Sequence, residues 1–374
     1  MNHSSENDDY FVHHPENDEK YKALSVQKGI AQPPIVNPYR AKSIRKKNYS
    51  VDEFVDGILA GNVVILSQAV TLVESSRMDH QEKAQQIIEK CLPHAGKSVR
   101  VGITGVPGSG KSTSIESFGM HMIRSGKKLA VLAIDPSSER SKGSILGDKT
   151  RMEELSVEPN AFIRPSPSAG SLGGVARKTR ETIVLCEAAG FDTIFVETVG
   201  VGQSETAVHS MVDFFLLIQI TGGGDELQGI KRGIMEMADG IVINKADGDN
   251  LNKAKVTQTQ YRNALQLFPM PASDWKPEVM LYSGLTGFNV PEVLEMVDRY
   301  IVHTKANDYF NLNRTQQALF WMYESINEQL KNRFYNERTI QEFLKLKEKQ
   351  VLNDEISSFT AAQAALDKYF GGHH

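Results

Sequence analysis

A glycine-rich segment near residue 105 carries the residue types of a phosphate-binding loop. Its sequence, Gly105-Val-Pro-Gly-Ser-Gly-Lys-Ser112, fits the pattern G-x-x-x-x-G-K-[ST]. Glycines let backbone N–H groups curl around phosphate oxygens, and a following helix adds its positive N-terminal end. Lys111 is then expected to reach the β- and γ-phosphates, and Ser112 to place its hydroxyl on Mg²⁺. A chance glycine turn is the alternative, but the apolar strand before the loop and the helix after it favour phosphate binding.

A second polar segment has the composition of a guanine-reading site. Asn244-Lys-Ala-Asp247 follows an apolar strand and matches the Asn-Lys-x-Asp motif of GTPases. The Asp247 carboxylate can accept hydrogen bonds from guanine N1–H and the 2-amino group, a donor pair that adenine lacks. Asn244 is expected to contact the N7/O6 side of the base or to hold the loop, and the Lys245 stem to cover the purine face. Ser283-Gly-Leu-Thr-Gly287 follows another strand and is expected to bring backbone groups to guanine O6.

Acidic and glycine residues follow three further predicted strands. Asp135 ends one of them, where it can hold Mg²⁺ directly or through water. Glu197-Thr-Val-Gly200 stands where GTPases carry the Asp-x-x-Gly sensor of the γ-phosphate. The Gly200 N–H can reach that phosphate, and Glu197 can hold Mg²⁺ or position water. Three glycines at 222–224 predict a mobile loop. Charged residues on these loops are ordinarily solvated surface charges, and they include Asp148, Asp225, Glu226 and Lys231.

Six apolar runs must position these segments, and helical patterns separate them. The runs are Val99–Ile103, Leu129–Ile134, Thr193–Val196, Phe214–Ile220, Gly240–Ile243 and Val279–Tyr282. Continuous apolar strands that alternate with helices predict an α/β fold with a mostly parallel sheet covered by helices. Ligands of such sheets bind at the carboxyl ends of the strands, which is where the motifs above stand.

The chain is predicted to have helical extensions on both sides of this sheet. Residues 1–48 are expected to form a flexible N-terminal arm, and residues 49–96 a helical segment that Ser50 or Asp52 caps. Residues 97–302 would form the nucleotide-binding domain, and residues 303–374 a C-terminal helical segment. The latter carries an apolar stripe that must pack on its own domain or on another subunit, formed by Leu319, Met322, Tyr323, Ile326 and Leu330.

Composition excludes several classes of protein. The 374 residues are 40% hydrophobic and 24% charged, which is typical of a globular chain. A net charge of −4 gives no electrostatic case for binding nucleic acid. No stretch approaches the roughly 20 apolar residues of a membrane helix. Cys91 and Cys186 are expected to be buried thiols, and the acidic N-terminus resembles no targeting signal, so the expected location is cytoplasmic.

Six motifs in order resemble the MeaB/ArgK type of P-loop GTPase, the methylmalonyl-CoA mutase-associated G proteins that include the human methylmalonic aciduria type A protein. The resemblance covers roughly residues 55–302. The motifs are 101–113, 135–138, 143–152, 197–205, 223–231 and 244–247. The resemblance implies a P-loop NTPase fold of the SIMIBI class, which includes the nickel-enzyme and signal-recognition GTPases. It also implies GTP/GDP and Mg²⁺ as ligands.

The resemblance further implies site roles for individual residues. Nucleotide would be held by Gly105, Val106, Pro107, Gly108, Ser109, Gly110, Lys111, Ser112, Thr113, Asn244, Lys245, Asp247, Ser283, Gly284 and Leu285. The metal would be held by Ser112, Asp135 and Glu197. Catalysis would rest on Lys111, Asp148, Glu197, Gly200 and Lys231, the last within a third switch that answers the partner.

The activity that the resemblance implies is that of a GTP-hydrolysing chaperone. It would gate the loading of adenosylcobalamin into an acyl-CoA mutase, with methylmalonyl-CoA mutase as the first expectation, and would help to protect or reactivate that enzyme. A homodimer is implied, with contact through the C-terminal helices. Hydrolysis is expected to be slow alone, since a group supplied by a partner can raise a GTPase rate by about 10³–10⁵. Alternatives are an isobutyryl-CoA-type mutase as partner, a metallochaperone GTPase, a scaffold that binds GTP for structure, and a kinase.

Overall fold

Seven parallel strands form the sheet of this computed structural model, which describes residues 49–135, 152–167, 172–198, 204–221 and 232–371. The strands lie in the order β3-β2-β4-β1-β5-β6-β7, so β1 is central. Their bounds are β1 Val99–Gly105, β2 Leu129–Asp135, β3 Ala161–Pro167, β4 Thr193–Thr198, β5 Phe214–Gln219, β6 Gly240–Ile243 and β7 Glu278–Leu281. The predicted α/β class with a parallel sheet is confirmed.

Helices cover both faces of the sheet. Further helices precede the sheet and follow it at the two ends of the described chain. The first group is α1 Val51–Leu59, α2 Val63–Glu74, α3 Met78–Cys91, α4 Lys111–Arg124, α5 Leu172–Ala188 and α6 Ser204–His209. The second group is α7 Arg232–Met237, α8 Leu251–Leu265, α9 Val290–Ala306, α10 Tyr309–Asn336, α11 Arg338–Leu352 and α12 Ser358–Gly371. None of the helices in the described part of the chain is both long and apolar enough to cross a membrane.

The continuous apolar strands are explained by cores on both faces of the sheet. Successive residues of a strand point to opposite faces, so a strand covered on both sides needs apolar residues throughout. In β5, Phe214 and Leu216 pack in the core that contains α4 and α9. Phe215 packs in the core that contains α1, α2, α3 and α5. All six residues of β5 are buried.

Strand β3 was not predicted, because its prolines argue against a central strand. Among the described residues it lies at the edge of the sheet and pairs only with β2, with Pro165 opposite Ala133. A proline lacks the N–H that a second neighbour would need, and an edge position does not require it. The short apolar run Ala161-Phe-Ile163 was the available signal.

The first helices match their sequence pattern closely. The Ser50 hydroxyl accepts from Glu53 N at 3.1 Å, and the Glu53 carboxylate accepts from Ser50 N at 2.8 Å, which is a complete capping box. Ser50, and not Asp52, is therefore the cap of α1. Cys91 and Cys186 are both buried, as expected.

Helix α10 packs on the sheet domain through a face other than its predicted apolar stripe. Arg314 pairs with the buried Asp213 and also donates to Ser98 O at 2.7 Å. Gln317 and Trp321 donate to main-chain carbonyls of Val212 and Ser210 at 2.7 and 2.9 Å. The stripe residues are 45–61% exposed in this chain, and they are Leu319, Met322, Tyr323, Ile326 and Leu330.

The domain boundaries stay predictions. Residues 1–48 lie outside the described residues. Helix α9 runs without a break from Val290 to Ala306, so it crosses residue 303, where the C-terminal segment was expected to begin.

Candidate nucleotide site

The glycine-rich loop connects the central strand to helix α4, as a phosphate loop must. Gly105 lies so close to β5 that a Cβ there would stand 2.2 Å from Ile218 O. Gly108 and Gly110 have φ values of +79° and +87°, a conformation that favours glycine. Helix α4 begins at Lys111, so its first N–H groups have no intrahelical acceptor and face the loop. The loop therefore has the backbone of an anion-binding site.

Lys111 lies at the centre of this loop. Its Nζ donates to Gly105 O at 2.8 Å and to Val106 O at 3.4 Å, both in its own loop. Burial lowers the pKa of Lys111, whereas the charges of Glu197 and Glu205 raise it. Lys111 is thus a half-buried cation within electrostatic reach of two carboxylates.

Glu205 was not singled out from the sequence as a site residue. It lies in α6 with 1% of its surface exposed, and Ser204 Oγ donates to its Oε2 at 3.3 Å. A buried carboxylate needs a nearby cation or hydrogen bonds, and Lys111 supplies the charge. The signal was its position eight residues after Glu197, within one of the motifs.

The predicted acids follow neighbouring strands of the sheet. Glu197 in β4 lies opposite Ile103 of β1 and Ala133 of β2. Asp135 is the last residue of β2, so its backbone is close to the end of β4. The direction of the Asp135 side chain stays a prediction. A bond from Thr198 Oγ1 to Thr104 Oγ1, at 2.8 Å and fully buried, ties the end of β4 to that of β1.

Asn244 holds three loops together. Its Nδ2 donates to Ser109 O in the phosphate loop at 2.7 Å. Its Oδ1 accepts from Lys245 N at 2.7 Å and from Gly284 N at 3.1 Å. The residue is 4% exposed. Of the two roles that the sequence left open for Asn244, the geometry favours holding the loop.

Asp247 and Ser283 lie together at the predicted base-reading position. Ser283 Oγ donates to Asp247 Oδ2, and it also accepts from Thr286 N at 3.2 Å. Lys245 is exposed and has φ +59°, an uncommon conformation for a residue with a side chain. Leu285 is 83% exposed. These residues form a surface that a purine could meet from the solvent side.

Several predicted residues cannot be placed. Asp148, Gly200 and Lys231 lie outside the described residues, as do Asp225 and Glu226. The remaining predicted nucleotide-binding residues converge on the carboxyl ends of β1, β6 and β7. Sequence reasoning missed the Thr104–Thr198 tie, since no pattern of residue types signals it.

The donor sets fit a nucleotide with a hard cation. Ser112 at the start of α4 and Glu197 at the end of β4 offer oxygen atoms, the ligands that Mg²⁺ prefers. Ser109 Oγ is buried and has no hydrogen-bond partner among the described residues. Within those same ranges no three His, Cys, Asp or Glu side chains cluster as they would around a metal.

A central strand that ends in a phosphate loop, with Asn-Lys-x-Asp two strands away, defines a P-loop protein of the guanine-nucleotide-binding class. The particular family follows from comparison with known proteins. A family model described as "Methylmalonyl Co-A mutase-associated GTPase MeaB" matches residues 66–339, and the chain belongs to this family.

Relatives and a solved structure agree with this assignment. GTPase ArgK of Escherichia coli is 43% identical over 308 residues, covering 82% of this chain and 93% of ArgK. The mitochondrial methylmalonic aciduria type A homolog of Mus musculus is 43% identical over 338 residues, covering 88% of this chain and 81% of the mouse protein. The crystal structure of a LAO/AO transport system kinase superposes with a TM-score of 0.69 at 35% identity, over 85% of this chain and 97% of the other.

Proposed function

We propose that this GTPase binds GTP with Mg²⁺, hydrolyses it slowly alone, and serves as a chaperone of an adenosylcobalamin-dependent acyl-CoA mutase. The observation that carries the nucleotide part is the position of Asn244. It bonds at once to the phosphate loop, to the Asn-Lys-x-Asp segment and to the loop after β7. A bond network that joins these three loops gives a nucleoside and its phosphates one continuous site.

Guanine recognition is assigned to Asp247 and the Ser283–Leu285 loop. The Asp247 carboxylate would accept from guanine N1–H and the 2-amino group, and its bond from Ser283 holds it in place for that task. The backbone N–H of Leu285 would face guanine O6, since the N–H of Gly284 donates to Asn244 Oδ1. The Lys245 stem would cover one face of the base.

Phosphate binding is assigned to the loop Gly105–Thr113. Lys111 would exchange its contacts with Gly105 O and Val106 O for phosphate oxygens. Ser112, Asp135 and Glu197 would hold Mg²⁺, which supplies charge neutralisation on the β- and γ-phosphates. Glu205 would keep Lys111 oriented toward the loop.

Hydrolysis transfers the γ-phosphoryl group of GTP to water. The bond from the γ-phosphorus to the bridging oxygen breaks, a bond to the water oxygen forms, and the water proton leaves with phosphate. Glu197 would orient that water or hold the metal, and the family resemblance assigns Gly200 N–H to the γ-phosphate and Asp148 to hydrolysis. Turnover without a partner would be slow, since a group supplied in trans can raise a GTPase rate by about 10³–10⁵.

The partner is proposed from the family. Its description names association with methylmalonyl-CoA mutase, and the mouse relative is a methylmalonic aciduria type A homolog. We infer that GTP hydrolysis gates adenosylcobalamin loading and protects or reactivates the mutase. The exposed stripe of α10, at Leu319, Met322 and Tyr323, supports a homodimer through the C-terminal helices. An isobutyryl-CoA-type mutase and a metallochaperone role are alternatives. The cytoplasmic location stays a prediction.

Phosphate release from GTP and from ATP, with and without methylmalonyl-CoA mutase, tests the proposal. GTP-selective release that the mutase accelerates is the expected result. GTP-selective release that is indifferent to this mutase would move the search to another acyl-CoA mutase. Equal release from GTP and ATP would refute the assignment of Asp247.

A substitution of Lys231 tests the third switch. Lys231→Ala is expected to leave GTP binding and basal release nearly intact and to reduce the acceleration by the mutase. An equal loss of basal release would contradict a role in answering the partner.

A further inference from the structure

Tyr282 is a fully buried tyrosine that joins the base-reading side of the site to helix α4. It stands directly before Ser283, and its backbone pairs with the loop after β6 through Ile243 O and Ala246 N, both at 3.1 Å. Its ring stacks on Phe118 of α4, with centroids 5.5 Å apart and planes 22° apart. The residue therefore touches both halves of the site.

The Tyr282 hydroxyl ends a chain of hydrogen bonds that reaches the phosphate loop. It contacts Ser114 Oγ, and Ser114 Oγ in turn donates to Gly110 O at 2.7 Å. A serine hydroxyl has one proton, so the tyrosine is the donor to Ser114. Burial raises the pKa of Tyr282, which keeps that proton on the phenol. The chain runs from Tyr282 through Ser114 to Gly110.

Backbone packing supports the same connection. Gly284 faces α4, where an added Cβ would stand in ordinary van der Waals contact, 3.5 Å from the Cα, N and Oγ atoms of Ser114. The Ser283–Leu285 loop thus rests on the first turn of the helix whose N-terminus faces the phosphates. Any shift of α4 relative to β7 would change the distance between the base and phosphate subsites.

We propose that Tyr282 is a positioning residue that sets the spacing between the guanine loop and the phosphate loop, so that base and phosphates of one nucleotide bind cooperatively. This role rests on the proposed guanine-nucleotide site. Two ligand parts joined in one molecule gain affinity when both subsites are held at the right separation. Tyr282 would contribute to that gain without touching the nucleotide.

The test is the affinity of Tyr282→Phe for GDP and, separately, for Mg²⁺-pyrophosphate. The variant keeps the ring stack and removes the hydroxyl. We expect the Kd for GDP to rise about three- to tenfold, the loss of one net hydrogen bond, while the Kd for pyrophosphate stays within about twofold. A purely local distortion of the phosphate loop would weaken both ligands equally, and that result would overturn the proposal, as would an unchanged Kd for GDP.

Two further variants sharpen the test. Ser114→Ala removes the middle of the chain, and we expect Tyr282→Phe to cause no further loss in its background; independent, multiplying losses would overturn the proposed chain. Tyr300→Phe is the matched control. Tyr300 in α9 is also a buried tyrosine, but its hydroxyl is hydrogen-bonded to Asp239 and not to the chain that ends at Gly110. It should leave the Kd for GDP unchanged. Wild-type protein that binds pyrophosphate but not GDP would refute the proposed function itself, and the role of Tyr282 with it.

Discussion

Replacing Asn244 by alanine should damage the nucleotide site more than any change of a single exposed loop residue. The side chain is 4% exposed and makes three hydrogen bonds to main-chain groups. Alanine cannot replace any of them. The change leaves Ser109 O, Lys245 N and Gly284 N without their partner.

The burial of those partners sets the magnitude. Lys245 is exposed, so its N–H can turn to water, whereas Ser109 and Gly284 are buried. A buried main-chain group left without a partner costs about 1–3 kcal/mol, so two of them cost about 2–6 kcal/mol. The cavity left by the amide can admit water, so we expect about 2–4 kcal/mol. If this cost falls wholly on binding, the Kd for GDP rises about 30- to 1,000-fold.

The assay separates stability from binding. Urea unfolding of the nucleotide-free protein gives the part of the cost that the fold carries, and titration with GDP gives the part that binding carries. Asn250→Ala is the matched control on the same loop. Asn250 donates to Lys245 O and accepts from Thr221 Oγ1, both at 2.7 Å, but Lys245 is exposed. A combined loss below about 1 kcal/mol for Asn244→Ala, or one equal to that of Asn250→Ala, would refute the reasoning.

Four other changes test separate parts of the site and fold. Lys111→Ala should abolish tight GTP binding in a nucleotide titration, because it removes the cation of the phosphate loop. Asp247→Asn should lose the preference for GTP over ATP, and unchanged selectivity would contradict base reading by this carboxylate. Thr198→Val breaks the bond to Thr104 and should slow phosphate release about three- to tenfold with GDP affinity nearly intact; the reverse pattern would contradict its place near catalysis. Burial raises the pKa of Asp239 to about 7, so the folded state holds a proton that the unfolded chain releases above about pH 4. The contribution of Asp239 to the free energy of unfolding is full below about pH 4 and is lost as the pH rises through 7. Asp239→Asn should therefore make the free energy of unfolding, measured with urea, less dependent on pH.

The sheet could be predicted because its strands are buried on both faces. Each predicted run, such as Phe214–Ile220, is mostly apolar and agrees with a strand to within two residues at either end. Strand β3 was not predicted, because an edge strand has a neighbour on one side only and therefore tolerates Pro165. The strand order was not predictable, since the pairing of β1 with both β4 and β5 depends on packing between distant segments.

Site residues could be proposed from the sequence where one residue type has one chemical use. The glycine positions of the phosphate loop and the carboxylate of Asp247 are of this kind. Residues whose proposed role depends on their position in the fold were not predicted, because their residue types are common in all proteins. Glu205, Thr198 and Tyr282 acquire a role only when folding brings them to Lys111, Thr104 and Ser114.

The residues proposed for base binding and most of those proposed for hydrolysis stand on different parts of this sheet. The base and phosphate subsites are joined through buried groups, Asn244 on one side and Tyr282 on the other, to the same phosphate loop and its helix. Of the residues assigned to hydrolysis, Asp148, Glu197 and Gly200 belong to β2, β4 and the segments after them, on the opposite side of β1 from β6, whereas Lys111 follows β1 and Lys231 follows β5 in the chain. A change near β6 and β7 therefore alters the affinity for nucleotide first, whereas a change at the end of β4 alters turnover first. Such a division would suit a switch, because a partner would then change the rate of hydrolysis while the nucleotide stays held at β6 and β7.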